Sequence, residues 1–266
     1  MKFHCWHKHG HGAVNLLDAI AQSCDVFFYE IALKTGINNI AKISREFGLG
    51  LPTGINLPGE KSGLIPDRKW KLDVKKQVWR PGETIIAGIG QGYVLATPIQ
   101  LALMTARIAN GGKKIKPTLL KSPILQASNA NSVKVSEENL NIIKRAMEKV
   151  SLDEFGTGRN FRLGIKGVEM AGKTGTVQVR RISTKERESE EGVIKNEDRI
   201  WEWRDHALYV GYAPMDKPRY AISVIVEHGG SGSSKAGPIA RDIMEATLKD
   251  DPTRFIPKNP IKKPLI

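Results

Sequence analysis

Cysteine and long apolar runs are both scarce in this chain, and each shortage excludes a class of protein. The two cysteines, Cys5 and Cys24, are too few for a disulfide framework, so they leave the redox compartment open. No apolar run approaches the ~18 residues that a membrane-spanning helix needs. Residues 1–6 lack the apolar core of a signal peptide. The sequence therefore predicts neither a transmembrane segment nor an export signal in these 266 residues.

Acidic residues are also few: the chain has 28 of them against 41 lysines and arginines, which gives a net charge of +13. A basic balance of this size often indicates a nucleic-acid-binding protein. However, the basic residues are spread along the chain, aromatic residues make up only 6% of it, and no base-reading or stacking motif is present. We therefore expect no nucleic-acid partner. A basic surface that faces an anionic membrane or polymer fits the charge as well.

The periodicity of the apolar residues changes along the chain. Helical spacing predicts helices at residues 16–35, 37–48, 98–110, 137–150 and 238–248. Alternation of β-branched and polar residues predicts strands at 174–182, 206–212 and 220–227. Residues 49–79 are predicted to be mostly loop. This order predicts an α+β fold in one domain, 1–249, with an exposed charged insertion at about 183–205 and a basic, proline-containing tail at 250–266.

Residues 167–174 match the phosphate-binding pattern G-x-x-x-x-G-K-[ST], so a P-loop nucleotide hydrolase is one interpretation. That loop requires a helix immediately after it, because the amide groups of the first turn bind the phosphates. Here Gly175 follows, and the alternation after it predicts a strand. A turn that merely contains a lysine is a further alternative. Both remain open, but the context favours a strand.

A different function is indicated if Lys173, Thr174, Gly175 and Thr176 open a strand at the edge of a cleft. The lysine supplies positive charge, the threonine hydroxyls can bind a carboxylate, and the glycine allows another backbone to approach closely. This is the K-T-G element of penicillin-binding proteins and serine β-lactamases. A tripeptide alone is weak evidence, so other segments must support it.

Such segments are present in Ser23-Cys24-Asp25, in the turn at 88–92 before Thr97-Pro98, and in 204–207 and 227–230. Together with 171–176 they resemble class B penicillin-binding proteins of the elongation type, the penicillin-binding protein 2 group, in order and spacing from about residue 3 to residue 248. The resemblance implies the transpeptidase fold that this family shares with serine β-lactamases, a central antiparallel sheet flanked by helices. It also implies a peptidoglycan D,D-transpeptidase at the periplasmic face of the bacterial inner membrane.

The resemblance assigns roles to individual residues. Ser23 takes the place of the S-x-N serine that relays a proton, Asp25 stands where the general pattern has asparagine, and Lys173 orients that serine. Thr174 and Thr176 bind the terminal carboxylate of the substrate, and the Thr176 N–H forms one side of the oxyanion hole. The implied ligands are peptidoglycan stem peptides and β-lactams, and the implied partner is a membrane glycosyltransferase of the elongation machinery. No cofactor is required.

The nucleophile of this family belongs to an S-x-x-K element, and no serine of this chain has lysine three residues later. We therefore expect a C-terminal part of a transpeptidase domain, without the nucleophile helix and the first strands, that is inactive alone. Pairing with a chain that contains the missing segment is one possibility. A non-catalytic interaction module is the remaining alternative.

Four of the six histidines lie near Cys5 in residues 4–11. Imidazole and thiolate are preferred ligands of Zn²⁺, but the spacing is not that of a zinc finger, and an exposed basic end explains it equally well. The resemblance implies a zinc site in some family members, with Cys5 and His11 at two ligand positions. These two residues would be half of such a site.

Overall fold

The structure is a computed structural model that describes residues 3–120, 131–180, 182–183, 185–186, 189 and 192–251. Its helices are α1 (Leu16–Ala21), α2 (Asp25–Thr35), α3 (Ile37–Glu46), α4 (Arg68–Lys75), α5 (Pro81–Gly88), α6 (Pro98–Ala109), α7 (Glu137–Leu152) and α8 (Gly237–Lys249). Its strands are β1 (Ala171–Val177), β2 (His206–Ala213) and β3 (Tyr220–Val226). Except for Asp250 and Asp251, the predicted tail lies outside the described residues.

The three strands form one antiparallel sheet in the order β1-β2-β3. On one face, α8 packs through Met244 against Tyr209 and Phe161. On the other face, α6 and α7 pack through Ala109 and Met147 against β1 and β2. The predicted α+β architecture, an antiparallel sheet flanked by helices, is confirmed.

Local capping chemistry explains the two long central helices. The Thr97 hydroxyl accepts a hydrogen bond from the Gln100 N–H, the Thr97 N–H donates to the Gln100 side-chain oxygen, and Pro98 occupies the first turn of α6. Ser136 caps α7 by accepting from the Asn139 N–H at 3.3 Å. Both helices begin where the sequence predicts them.

The single helix predicted at 16–35 is wrong in one respect, because the chain turns between α1 and α2. Asn15 caps α1, and the helix ends when Ser23 adopts a left-handed conformation with φ 56°. The Cys24 N–H then donates back to the Ala19 carbonyl at 2.8 Å, and α2 starts at Asp25. Ser23 is therefore presented on a turn between two helices.

The prediction of mostly loop for residues 49–79 missed α4. Asp67 caps this helix by accepting from the Trp70 N–H at 2.7 Å. Lys71 is buried, and its ammonium group pairs with Glu83 of α5. A buried ion pair between two short helices depends on tertiary contacts, so the apolar spacing gave little sign of it.

The charged segment at 183–205 is not exposed throughout. Arg199 and Asp205 are buried, and their side chains form an ion pair at 3.1 Å. Asp205 also accepts from the Asn196 amide, and the Val179 N–H, just beyond β1, points to its other carboxylate oxygen. The end of the segment therefore supports the strand that precedes it. Among the described residues, no helix is long and apolar enough to cross a membrane.

Candidate active-site cleft

A hydrogen bond between residues 150 positions apart defines the centre of the cleft. The Lys173 ammonium of β1 donates to the Ser23 hydroxyl at 2.8 Å and to the Thr174 carbonyl at 2.8 Å. Burial lowers the pKa of Lys173 to about 8, and the Asp25 carboxylate partly opposes this. A lysine with a pKa near neutrality can exchange a proton with the serine that it contacts. The arrangement is therefore suited to proton relay.

The turn that presents Ser23 is held by Trp6, which the sequence gave no reason to choose. The Trp6 backbone N–H donates to the Asp25 carboxylate at 2.9 Å. Its indole N–H donates to the Ser23 carbonyl at 2.9 Å and to the Gln22 carbonyl at 3.2 Å. Burial raises the pKa of Asp25, while the Trp6 N–H and the charge of Lys173 oppose the rise. Asp25 therefore takes part in positioning the turn as well as in the charge balance around Lys173.

Thr157 is a second residue that the sequence analysis missed. It lies in the loop after α7, and its hydroxyl oxygen is 2.8 Å from that of Thr174. Its backbone N–H donates to the Ala21 carbonyl at the end of α1 at 3.1 Å. Thr157 therefore links the helix before Ser23 to the strand that contains Thr174. Its only sequence signal is its place between two glycines, Gly156 and Gly158.

Backbone approaches closely at Gly175, and the partner is Gly232 at the start of the turn before α8. A Cβ on Gly232 would lie 2.4 Å from the Gly175 oxygen and 2.8 Å from its nitrogen. A Cβ on Gly175 would lie 3.3 Å from Leu208 Cβ. The absent side chain at Gly232 therefore allows the short helical turn at Gly232–Ala236, which leads into α8, to lie directly against the middle of β1.

The outer half of β1 is bound by Gln91, from the turn after α5. Its amide Nε2 donates to the Thr176 carbonyl at 2.9 Å, and its Oε1 accepts from the Gln178 N–H at 3.3 Å. Thr176 itself is exposed. Side-chain contacts thus connect β1 with the helical part of the protein at three places, at Lys173, at Thr174 and at Thr176.

A cluster of metal-binding side chains lies directly beside Ser23. Ligand atoms of Cys5, His11 and Cys24 all lie within 4.8 Å of one another. Burial lowers the pKa of His11 and raises that of the Cys24 thiol. The His11 Nε2 atom is buried and has no hydrogen-bond partner within the described part of the chain. The sequence named Cys5 and His11, but it did not place Cys24 with them.

The nucleotide interpretation of 167–174 is wrong on structural grounds. Lys173 and Thr174 lie inside β1, which runs from Ala171 to Val177. The helix that a phosphate-binding loop requires does not follow the pattern. The Lys173 ammonium instead contacts Ser23 and the Thr174 carbonyl.

Comparison with known proteins gives one consistent result. The model of the penicillin binding protein transpeptidase domain matches residues 1–245. The peptidoglycan D,D-transpeptidase MrdA of Acinetobacter baumannii is 39% identical over 264 residues, which cover 95% of this chain and 38% of that protein. The chain therefore spans about two-fifths of the length of such relatives.

Solved structures agree with the sequence comparison. The penicillin-binding protein PBP2 of Helicobacter pylori, in its complex with MreC, superposes with a TM-score of 0.81 at 36% identity, covering 94% of this chain and 42% of that one. PBP2 of Pseudomonas aeruginosa, in complex with WCK 5153, gives a TM-score of 0.79 at 37% identity and covers 94% of this chain and 51% of that one.

Proposed function

This chain belongs to the penicillin-binding protein transpeptidase domain family, and we propose that it forms the substrate-binding side of a peptidoglycan D,D-transpeptidase of cell elongation. The observation that carries the proposal is the contact of Lys173 with both Ser23 and the Thr174 carbonyl. It brings a proton-relay pair to the strand whose hydroxyls are suited to a carboxylate. The relatives named as D,D-transpeptidases support the reaction class.

In this proposal the donor stem peptide lies along β1 and places its terminal carboxylate at the hydroxyls of Thr174 and Thr176. A serine of an S-x-x-K segment attacks the D-Ala-D-Ala carbonyl and gives its hydroxyl proton to the lysine of that segment. A C–O bond forms, and the C–N bond to the leaving D-alanine breaks. Ser23 passes a proton to the leaving amine, and Lys173 supplies that proton through their hydrogen bond. The amine of a second stem peptide then attacks the acyl-enzyme, forms the cross-link and releases the serine. A β-lactam takes the donor's place.

The substrate side can be tested without covalent chemistry. We expect the 266-residue polypeptide to bind an N-acyl-D-Ala-D-Ala peptide, measured by calorimetry. Lys173→Met should weaken this binding about tenfold or more, because it removes the positive charge beside Thr174 and the donor to Ser23 and the Thr174 carbonyl, and hydrogen bonds to charged groups contribute roughly 1.5–3 kcal/mol. Lys166→Met is the matched control, since Lys166 is exposed. Equal affinity for an N-acyl-L-Ala-L-Ala peptide would contradict the proposed function.

The sequence also makes a prediction about covalent chemistry. Since none of these residues forms an S-x-x-K element, we propose that the polypeptide of residues 1–266 forms no acyl-enzyme by itself. Incubation with a fluorescent penicillin should leave no adduct after denaturation. A surviving adduct would refute this, and recovery of the adduct after mixing with a chain that contains S-x-x-K would support assembly from two parts.

We further propose that Cys5, His11 and Cys24 bind Zn²⁺. The donor set of two thiols and one imidazole suits this ion, and His11 Nδ1 lies 3.5 Å from Cys5 Sγ. A bound ion would supply structural rigidity to the turn at Ser23. Metal analysis after zinc loading should show loss of the ion with Cys24→Ser and retention with His9→Ala, whose side chain lies outside the cluster. Equal zinc content in both variants would refute the site.

The family membership also supports a proposal about the cellular location and the partners of the whole protein. We propose that the whole protein acts at the periplasmic face of the bacterial inner membrane, beside a membrane glycosyltransferase of the elongation machinery. The Helicobacter pylori relative was solved together with MreC, which supports assembly into a larger complex. Crosslinking in cells should recover such partners, and recovery of cytoplasmic proteins alone would contradict the proposal.

A further inference from the structure

The Gln91 side chain binds β1 in the way that a peptide group of an added strand would. One carboxamide donates to the Thr176 carbonyl at 2.9 Å and accepts from the Gln178 N–H at 3.3 Å. Thr176 lies in β1 and Gln178 lies one residue beyond its end. Their backbone groups face the same edge, because alternate residues of an extended chain share an edge and one carboxamide bonds both. β1 is an outer strand of the described sheet, so this edge has no strand partner there.

The base of the Gln91 side chain is fixed, and only its rotatable arm can move. The Gln91 N–H donates to the Ile86 carbonyl at the end of α5 at 3.1 Å. Gly90 on one side and Gly92 on the other have φ of +75°, which L side chains rarely adopt. Helix α5 packs on α2 at Gly88, where a Cβ would lie 2.3 Å from Ala32 Cβ. The turn that contains Gln91 is therefore connected through α5 to α2, the helix that begins beside Ser23.

We propose that Gln91 is a displaceable strap across the cleft, and that the backbone amide of a bound peptide replaces its carboxamide on the edge of β1. An extended peptide that adds itself to a free edge needs the same alternating carbonyl and N–H groups. The strap satisfies these groups in the empty cleft and so prevents an unpaired edge from binding other chains. This inference rests on the proposed function, because it assumes that the ligand lies along β1.

The strap selects ligands by their chemistry. A ligand with an amide N–H recovers the bond to the Thr176 carbonyl that displacement of Gln91 breaks. A depsipeptide of the same shape has an ester oxygen at that position and cannot recover it. Both ligands must displace Gln91, so the strap lowers the affinity of both, but only the amide ligand regains a hydrogen bond at the Thr176 carbonyl.

Amide hydrogen exchange tests the strap without any ligand. In Gln91→Ala the Gln178 N–H loses its acceptor, so we expect its exchange to become at least severalfold faster than in the wild-type chain. Gln178→Ala is the matched control, because it keeps the backbone N–H and leaves Gln91 in place. Unchanged exchange in Gln91→Ala would overturn the strap. Circular dichroism and thermal unfolding establish that each variant is folded. Gln91→Glu is a second variant that should release the strap, because it puts an oxygen against the Thr176 carbonyl.

Ligand binding tests the displacement. We expect Gln91→Ala to bind both N-acyl-D-Ala-D-Ala and the depsipeptide about 2- to 10-fold more tightly, in line with one hydrogen bond of roughly 0.5–1.5 kcal/mol, and to keep the preference for the amide ligand. Weaker binding of both ligands would overturn the displacement and make Gln91 a support of β1. If neither ligand binds wild type or variant, the proposed function and the displacement both fail, while the exchange result still decides whether the strap exists.

Discussion

At the scale of single residues, the site depends on a few side chains whose environment alters their chemistry. Lys173 is the clearest case, because burial lowers its pKa to about 8 while it keeps two hydrogen-bond acceptors. Asp25 faces it, and burial raises the pKa of that carboxyl group. Thr157 contributes no charge but fixes the hydroxyl of Thr174. Each effect arises from neighbours that are distant in sequence.

The lowered pKa of Lys173 predicts a pH dependence of stability. Below pH ~8 the lysine is protonated in both the folded and the unfolded chain, so the free-energy cost of burying its charge does not change with pH. Between about pH 8 and its usual value of 10.5 the unfolded chain binds more protons, so the free energy of unfolding rises with pH. The rise amounts to roughly 3–4 kcal/mol, since the pKa is lowered from 10.5 to about 8 and each pKa unit corresponds to ~1.4 kcal/mol.

Denaturant unfolding at several pH values checks this expectation. The free energy of unfolding of the wild type minus that of Lys173→Met should rise between about pH 8 and pH 10.5. The same difference between the wild type and Lys166→Met should stay constant. Parallel pH curves for all three proteins would show that Lys173 has an ordinary pKa.

Thr157 gives a second prediction at this scale. Thr157→Val keeps the shape of the side chain but leaves the Thr174 hydroxyl without its partner, so binding of N-acyl-D-Ala-D-Ala should weaken by about 2- to 10-fold. Thr157→Ser keeps the hydroxyl and should restore the affinity. Calorimetric titration of the three proteins makes the comparison. An affinity of Thr157→Val equal to that of the wild type would mean that Thr174 is oriented without Thr157.

At the scale of elements, the cleft depends on how helices end and how closely they approach the sheet. The turn between α1 and α2 presents Ser23 in a left-handed conformation. The helical turn at Gly232–Ala236 before α8 lies against β1, because Gly232 has no side chain to separate them. The spacing of α5 from α2 depends on Gly88 in the same way. Small residues at these crossings determine the width of the cleft.

Gly232→Ala should therefore be strongly destabilising. The added Cβ would lie 2.3 Å from the Leu208 carbonyl oxygen and 2.4 Å from that of Gly175, and backbone atoms cannot move aside cheaply. We expect a loss of at least about 1–3 kcal/mol in the free energy of unfolding. Gly82→Ala is the control, since its nearest neighbour would be Phe3 at 3.8 Å and alanine favours a helix. Equal stability of the two variants would contradict the described packing of α8.

At the scale of the whole molecule, three described strands form a sheet with two outer edges. Gln91 covers part of the edge at β1. The outer strand β3 has only partly buried side chains along its whole length. No strand among the described residues pairs with the outer edge of β3, and an unpaired edge binds other chains readily. The behaviour of the 266-residue polypeptide in solution should reflect that edge.

We expect this polypeptide to associate in a concentration-dependent way, as measured by sedimentation velocity. Ile225→Lys should reduce association, because a charge on an edge strand opposes strand pairing. Val78→Lys is the control, since Val78 is an exposed apolar residue outside the strands. An equal reduction in both variants would attribute association to general surface hydrophobicity.

Much of this protein could be predicted from its sequence because the deciding signals are local. Thr97-Pro98 and Ser136 determine where α6 and α7 begin through hydrogen bonds within one turn. Alternating residues predict the strands, and the order of Ser23-x-Asp25 and Lys173-Thr174-Gly175 indicates the family that the comparison with known domains confirms.

Only the tertiary structure decided which distant residues meet. Trp6, Thr157, Gln91 and Cys24 form no spacing pattern that would mark them, yet each contacts the cleft or its metal-binding cluster. Their roles depend on how α1, α2 and α5 pack against β1, and that packing is determined by side-chain volume and burial across the whole fold. The lowered pKa of Lys173 has the same origin, because desolvation depends on all the atoms around it. The sequence thus determined the family and the elements, while long-range packing determined the working geometry of the cleft.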